Sequence, residues 1–205
     1  LTSTIVAPLY GKLGDLYGRR LMVFVSVALF LIGSGLCASA SSMTMLIISR
    51  AIQGLGGGGL FVLALSVVAD VIAPKDRGKV QGVFAAVFSL SSVIGPLAGG
   101  WFVEQFSWHW IFLINIPLGA IAVAMFAANF GTKPTLVAHK IDWAGAAALT
   151  VSLSAIILIC SLGGKELPWS GTMVWAIAAL AVAATMGFVM IERGAAEPIL
   201  PMRLF

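Results

Sequence analysis

Apolar residues run through this chain in six near-continuous stretches of about twenty, and the charged residues collect in the short segments between them. About 20 helical residues cross the roughly 30 Å hydrocarbon layer of a bilayer, so each stretch predicts a membrane-spanning helix. The spans read as Leu21 to Ala40, Met43 to Ala69, Val80 to Val103, Trp110 to Phe130, Trp143 to Leu162 and Thr172 to Ile191. None shows the period-two alternation that a barrel wall requires. The expected fold class is all-α, a polytopic transmembrane helical bundle. Leu1 to Tyr10 is apolar but too short to span. It reads as the tail of a truncated helix, and the chain as an internal fragment.

Composition agrees with that pattern. Hydrophobic residues make up 60% of the 205 and charged residues 10%, with a mean hydropathy of +1.06. Soluble domains carry about a quarter charged residues. If successive connections alternate sides, Lys12, Arg19, Arg20, Lys75, Arg77, Lys79, Lys133, Lys140, Arg193 and Arg203 share one face, leaving only Arg50 and Lys165 elsewhere. Lys and Arg concentrate on the cytoplasmic side of membrane proteins. The segments 11–20, 70–79 and 131–142 and the C-terminal end are therefore expected in the cytoplasm, with the helices in the cell's inner (plasma) membrane. Trp108, Trp110 and Trp169 then mark the outer interface and Trp143 the inner one.

The net charge of +4 comes without a basic run or an aromatic-basic alternation, so nucleic acid is not an expected partner. Cys37 and Cys160 each fall inside a span and read as small buried residues rather than a disulfide. Short connections leave no room for a soluble domain. His109 and His139 stand alone, and no Cys, His or carboxylate set has metal-ligand spacing. Neither an enzyme nor a metal or cofactor site is expected.

The segment GKLGDLYGRR, residues 11–20, links the first partial helix to the next, and Gly11, Gly14 and Gly18 allow tight positive-φ turns. Arg19 and Arg20 sit at the N-terminal end of a span, where the helix dipole disfavours cations; Asp70 sits at the C-terminal end of another, where it disfavours anions. Opposite misplaced charges on one face suggest an ion pair, while Asp15 precedes a helix start and suits it. Arg50 is the only basic residue well inside a span, at a cost of about 2.5 to 3.5 kcal/mol at the bilayer centre. Gln53 lies one turn deeper on the same face. The stretch Gly54 to Gly59 loosens the middle of its helix, its four consecutive glycines costing about 1 kcal/mol each in water, which marks a helix built to bend or to be approached. Ser91, Gly95 and Gly99 recur every four residues as a smooth stripe for close helix packing. Within that stripe Pro96 removes the hydrogen bond to the carbonyl of Ser92 and permits a kink. Asn115, two residues before Pro117, either bonds freed carbonyls or faces a cavity.

GKLGDLYGRR resembles the loop signature of the major facilitator superfamily, Gly-x-Leu-x-Asp-x-x-Gly-Arg-Arg. LIISRAIQGLGGGG from Leu46, DVIAPKDRG from Asp70 and SSVIGPLAGGW from Ser91, which ends in Gly99, Gly100 and Trp101, are similar to later motifs in the same order. WHWIFLINIPLG, IDWAG and ERGAAEPILPMRLF resemble the fourteen-helix drug:proton antiporter branch in particular. Ser91 stands where that pattern usually has Gly, and His109 where it often has Arg.

The resemblance implies a partial major facilitator superfamily bundle. Residues 1–130 would be an incomplete first six-helix half, 131–192 two additional helices, and 193–205 a cytoplasmic link toward a missing second half. It implies proton-coupled export of lipophilic or cationic drugs by alternating access, a fragment inactive alone, and no cofactor. Arg50, Gln53 and Asn115 would serve proton coupling and the central cavity. Gly11, Gly14, Asp15, Gly18, Arg19, Arg20 and Asp70 would form a cytoplasmic gating loop, and Ser91, Gly95, Pro96, Gly99 and Gly100 the packing of the antiporter motif. Implied partners are the lipid bilayer, a small-molecule substrate, protons and the missing half, with a periplasmic adaptor protein left open. A same-fold exporter of one metabolite or siderophore and a non-transporting truncated scaffold remain as alternatives.

Overall fold

The computed structural model describes residues 1–130 and 142–194. They form α1 (Thr2–Tyr17), α2 (Arg19–Ala38), α3 (Met43–Val71), α4 (Arg77–Gln105), α5 (Trp110–Leu113), α6 (Asn115–Asn129), α7 (Trp143–Leu162) and α8 (Thr172–Gly194). Among the described residues, 6 helices are long and apolar enough to cross a membrane, with α5 and α6 together making the span Trp110–Asn129. Lys133, Lys140, Ile141 and Arg203, and the links 131–141 and 195–205, lie outside the described residues.

Two local readings change. The segment 11–20 is not an open loop: Gly11 and Gly14 lie within α1, and Gly18 alone breaks the backbone, with φ of 87°. Gly14 packs on Leu63 and Gly11 approaches Val62, so burying that face against α3 favours continuing the helix. One left-handed glycine then suffices to reverse the chain. Asp15 consequently sits in the closing turn of α1 rather than ahead of a helix start. The fourth span is interrupted at Ile114. Pro117 has no N–H to offer the carbonyl of Leu113, which loosens that turn. Two helix starts are capped from their own sequence. Ser42 accepts from the Met45 N–H at 3.2 Å ahead of α3, and Asp142 from the Gly145 N–H at 2.8 Å ahead of α7.

The core is built around α3, which is flanked by α1 and α2. A methyl group at Gly56 would overlap the backbone of Phe30 and Ser26 on α2; at Gly58 it would overlap the backbone of Ser3 on α1, and at Gly59 the Tyr10 ring. Gly33 on α2 returns the contact, lying directly on the Gln53 backbone. Ser26 is fully buried and donates from Oγ to the Gly56 carbonyl at 2.6 Å. Tyr10, Met22 and Leu63 form a buried cluster beside it. The glycine run thus lies within an unbroken helix that is approached from two sides. α7 and α8 pair as a hairpin, their Ser152 and Thr185 hydroxyls 2.7 Å apart, and α7 rests on α1. Cys37 is buried but Cys160 is exposed on α7, and both are free thiols.

Enlarging Gly56 should be far more damaging than enlarging Gly187, whose Cβ position is open. Gly56→Leu is expected to destabilise by about 1 to 3 kcal/mol or more through overpacking. Gly187→Ala should stay within about 0.5 kcal/mol of the parent. Thermal unfolding of the full-length protein in detergent, followed by gel filtration, measures both.

Candidate functional site

Arg50 projects from the N-terminal half of α3 beside a cavity of about 400 Å³, whose walls include Phe30, Ile47, Gln53, Gly54 and Gly57. Its Nη1 donates to Gln53 Oε1, one turn along α3, and its guanidinium carbon lies 5.7 Å from the Phe112 ring centroid. Such a cation–π contact contributes about 0.5 to 1 kcal/mol when exposed and more when dry. Gln53 is only 3% exposed, and its Nε2 donates to Ser34 Oγ on α2 at 2.5 Å. Asn115, at the start of α6, donates to the same Ser34 oxygen at 3.4 Å. Arg50, Gln53 and Asn115 therefore meet, as the sequence grouped them, but through Ser34. Asn115 bonds across to α2, not to carbonyls freed by Pro117.

The second cluster lies at the opposite end of the bundle. Arg19 pairs with Asp70 at 2.6 Å and with Asp15 at 3.1 Å, and it also donates to the Ser66 carbonyl on α3. Arg20 goes elsewhere. It donates to the Ala127 carbonyl in the last turn of α6 at 3.3 Å and stacks 5.8 Å from the Phe24 ring centroid. Arg77, from the start of α4, reaches back to the carbonyls of Ala69 and Ile72 at 2.6 and 3.1 Å. All three guanidiniums thus sit near helix C-termini, where the dipole is negative; Ala69 and Ala127 are among the last four residues of their helices, whose carbonyls lack intrahelical partners, whereas Ser66 lies one turn earlier. Their placement at the N-terminal ends of their own helices is offset by neighbouring C-terminal ends.

The sequence model described as Major Facilitator Superfamily matches residues 1–192. The chain belongs to that superfamily. It is 42% identical over 205 residues to the Multidrug transporter protein MdtP of Bacillus subtilis, covering all of this chain and 38% of the relative. It is 41% identical over 198 residues to Multidrug resistance protein 3 of Bacillus subtilis, covering 97% of this chain and 39% of the relative. The MFS-type efflux pump LUC4 of Fusarium sp is 36% identical over 214 residues, again covering all of this chain and 38% of the relative. The chain spans well under half the length of these relatives.

Membership in the superfamily makes the six apolar helices those of a multi-pass membrane protein of the transporter type. Within this fold, the stripe Ser91, Gly95, Pro96, Gly99 and Gly100 stands apart. α4 has no buried residue, and Cβ positions at Gly95, Gly99 and Gly100 meet nothing within 4 Å among the described residues. The α4 helix nevertheless runs unbroken through Pro96. No set of three or more His, Cys, Asp or Glu that could hold a metal occurs among the described residues. Sequence does not single out Ser34, because a serine within a span carries no pattern of its own, and it places Arg77 only on the basic face and within DVIAPKDRG. Glu192 was also passed over. It is 3% exposed in the closing turn of α8, against Gly145 at the start of α7, where a helix N-terminus favours an anion.

The Arg19–Asp70 side chains are 25% and 47% exposed, so their coupling should be about 0.2 to 1 kcal/mol in a thermal-unfolding double-mutant cycle. The charge swap Arg19→Asp with Asp70→Arg should fail to restore stability, since Arg19 also serves the Ser66 carbonyl.

Proposed function

We propose that this chain is part of a proton-coupled exporter of lipophilic or cationic drugs that works by alternating access. Residues 1–130 contribute an incomplete first six-helix half, 131–192 two additional helices, and 193–205 a link toward the second half. The observation that carries the proposal is Arg50, a permanent cation placed at a cavity wall within a span and steadied by Gln53. The names of the similar relatives, multidrug transporter and efflux pump, support the substrate class.

A guanidinium does not release its proton in proteins. Its role is to lower the pKa of a carboxylic acid brought near it, so that proton and cationic substrate exchange at one place. Among the described residues no carboxylate lies in the middle of a span. In this reading the titrating acid would come from parts of the full-length protein outside the described residues. At the other end, the Asp15–Arg19–Asp70 cluster ties α1, α2 and α3 together and would stabilise one end state of the cycle. The basic end faces the cytoplasm, in the plasma membrane. Bilayer lipid, substrate, protons and the second half are the partners this reading requires. A periplasmic adaptor protein is an additional partner to be sought by co-purification.

In proteoliposomes carrying the full-length protein, Arg50→Ala should abolish efflux driven by a pH gradient while leaving insertion and the gel-filtration profile intact. Unchanged efflux would remove Arg50 from the mechanism. Competition between chemically unrelated substrates is expected; its absence would favour a metabolite-specific exporter, and no transport at all a scaffold. For orientation, cysteines introduced at Lys75 and Lys165, with Cys37 and Cys160 replaced by serine, should react from the cytoplasmic and outer sides respectively with a membrane-impermeant maleimide.

A further inference from the structure

We propose that Ser34 on α2 is a positioning residue for Arg50, acting through Gln53; the inference rests on the reading of Arg50 given above. The direction of the hydrogen bonds fixes how Gln53 is turned. A guanidinium offers donors only. Gln53 must therefore present its carbonyl oxygen to Arg50 and turn its amide nitrogen the other way. That nitrogen ends on Ser34 Oγ at 2.5 Å, in a position where Ser34 is 0% exposed and Gln53 3% exposed.

A hydroxyl oxygen has two lone pairs, and the second is addressed by Asn115 Nδ2 at 3.4 Å. Ser34 thus gathers one amide from α3 and one from α6. Its reach depends on its neighbour, because beside Ser34 the two helices close up where Gly33 lies on the Gln53 backbone. Without the Ser34 acceptor, the buried Gln53 amide is left with an unpaired N–H group and is free to rotate away from Arg50. Arg50, itself exposed to the cavity, would then lose the acceptor that holds it there. Because Asn115 shares the acceptor, displacement of α6 relative to α3 is transmitted to the orientation of Gln53.

The test uses the full-length transporter in proteoliposomes. Ser34→Ala and Gln53→Ala should each lower gradient-driven efflux about tenfold, and the double variant should be no slower than Gln53→Ala alone. Ser34→Cys, which keeps the branching of the side chain but is a poor acceptor, should resemble Ser34→Ala, whereas Ser34→Thr should recover activity. Ser34→Ala should also move the pH dependence of efflux in the same direction as Gln53→Ala, which a packing defect would not do. Independent, multiplying losses, or a fully active Ser34→Cys, would overturn the proposal. Thermal-unfolding cycles on the same variants separate it from the reading it rests on. If Arg50→Ala proves silent while Ser34 and Gln53 remain coupled in stability, proton coupling fails and Ser34 stays the anchor of Gln53. If they are uncoupled, the anchor itself is refuted.

Discussion

The close approach of α3 to two other helices is the constraint on which the rest depends. In a bilayer, lipid tails are as apolar as leucine side chains, so helices gain nothing merely by hiding apolar surface from water. Association must come from van der Waals contact and from hydrogen bonds between backbones near enough to touch. Gly56, Gly58 and Gly59 provide that nearness toward α2 and α1, and Gly33 answers from the α2 side. The bond from Ser26 to the Gly56 carbonyl is available only because no side chain intervenes. The propensity cost of a glycine run is offset here by contact that a longer residue would forbid.

Both polar clusters follow from that packing. Once α2 and α3 are locked at Gly33 and Gly56, Ser34 and Gln53 face each other in a buried interface, and Arg50 extends from there to the cavity. At the basic end the same pair of helices brings Arg19 to Asp70 and the Ser66 carbonyl. Arg20, one residue further along α2, necessarily points to another neighbour and finds the end of α6. Arg77 completes the pattern by folding back over the end of α3. Guanidinium groups that sit badly on their own helices are thereby matched to carbonyls of other helices, and each match staples two elements.

The outer parts of the bundle contrast with this centre. α4 and α6 contain no buried residue, while α7 and α8 bury residues mainly against each other. The interior is therefore concentrated in α1, α2 and α3, and the small-residue face of α4 is left without a neighbour among the described residues. A fold of this kind places its polar chemistry where backbones are closest and leaves its margins for lipid or for other parts of a longer protein.

Hydropathy by itself determined the class, the number and the approximate ends of the spanning helices, because the length of an apolar run is a one-dimensional quantity matched to bilayer thickness. It also flagged Arg50 and the glycine run, since a charge or a poor helix former inside an apolar run is conspicuous. Tertiary structure alone decided that Gly11 and Gly14 are helical, that Arg19 and Arg20 part company, and that Ser34 joins Gln53 to Asn115. Those outcomes depend on which face of one helix meets which face of another. That angular relation is set by contact across the bundle, and no count of residues along a single strand of sequence contains it.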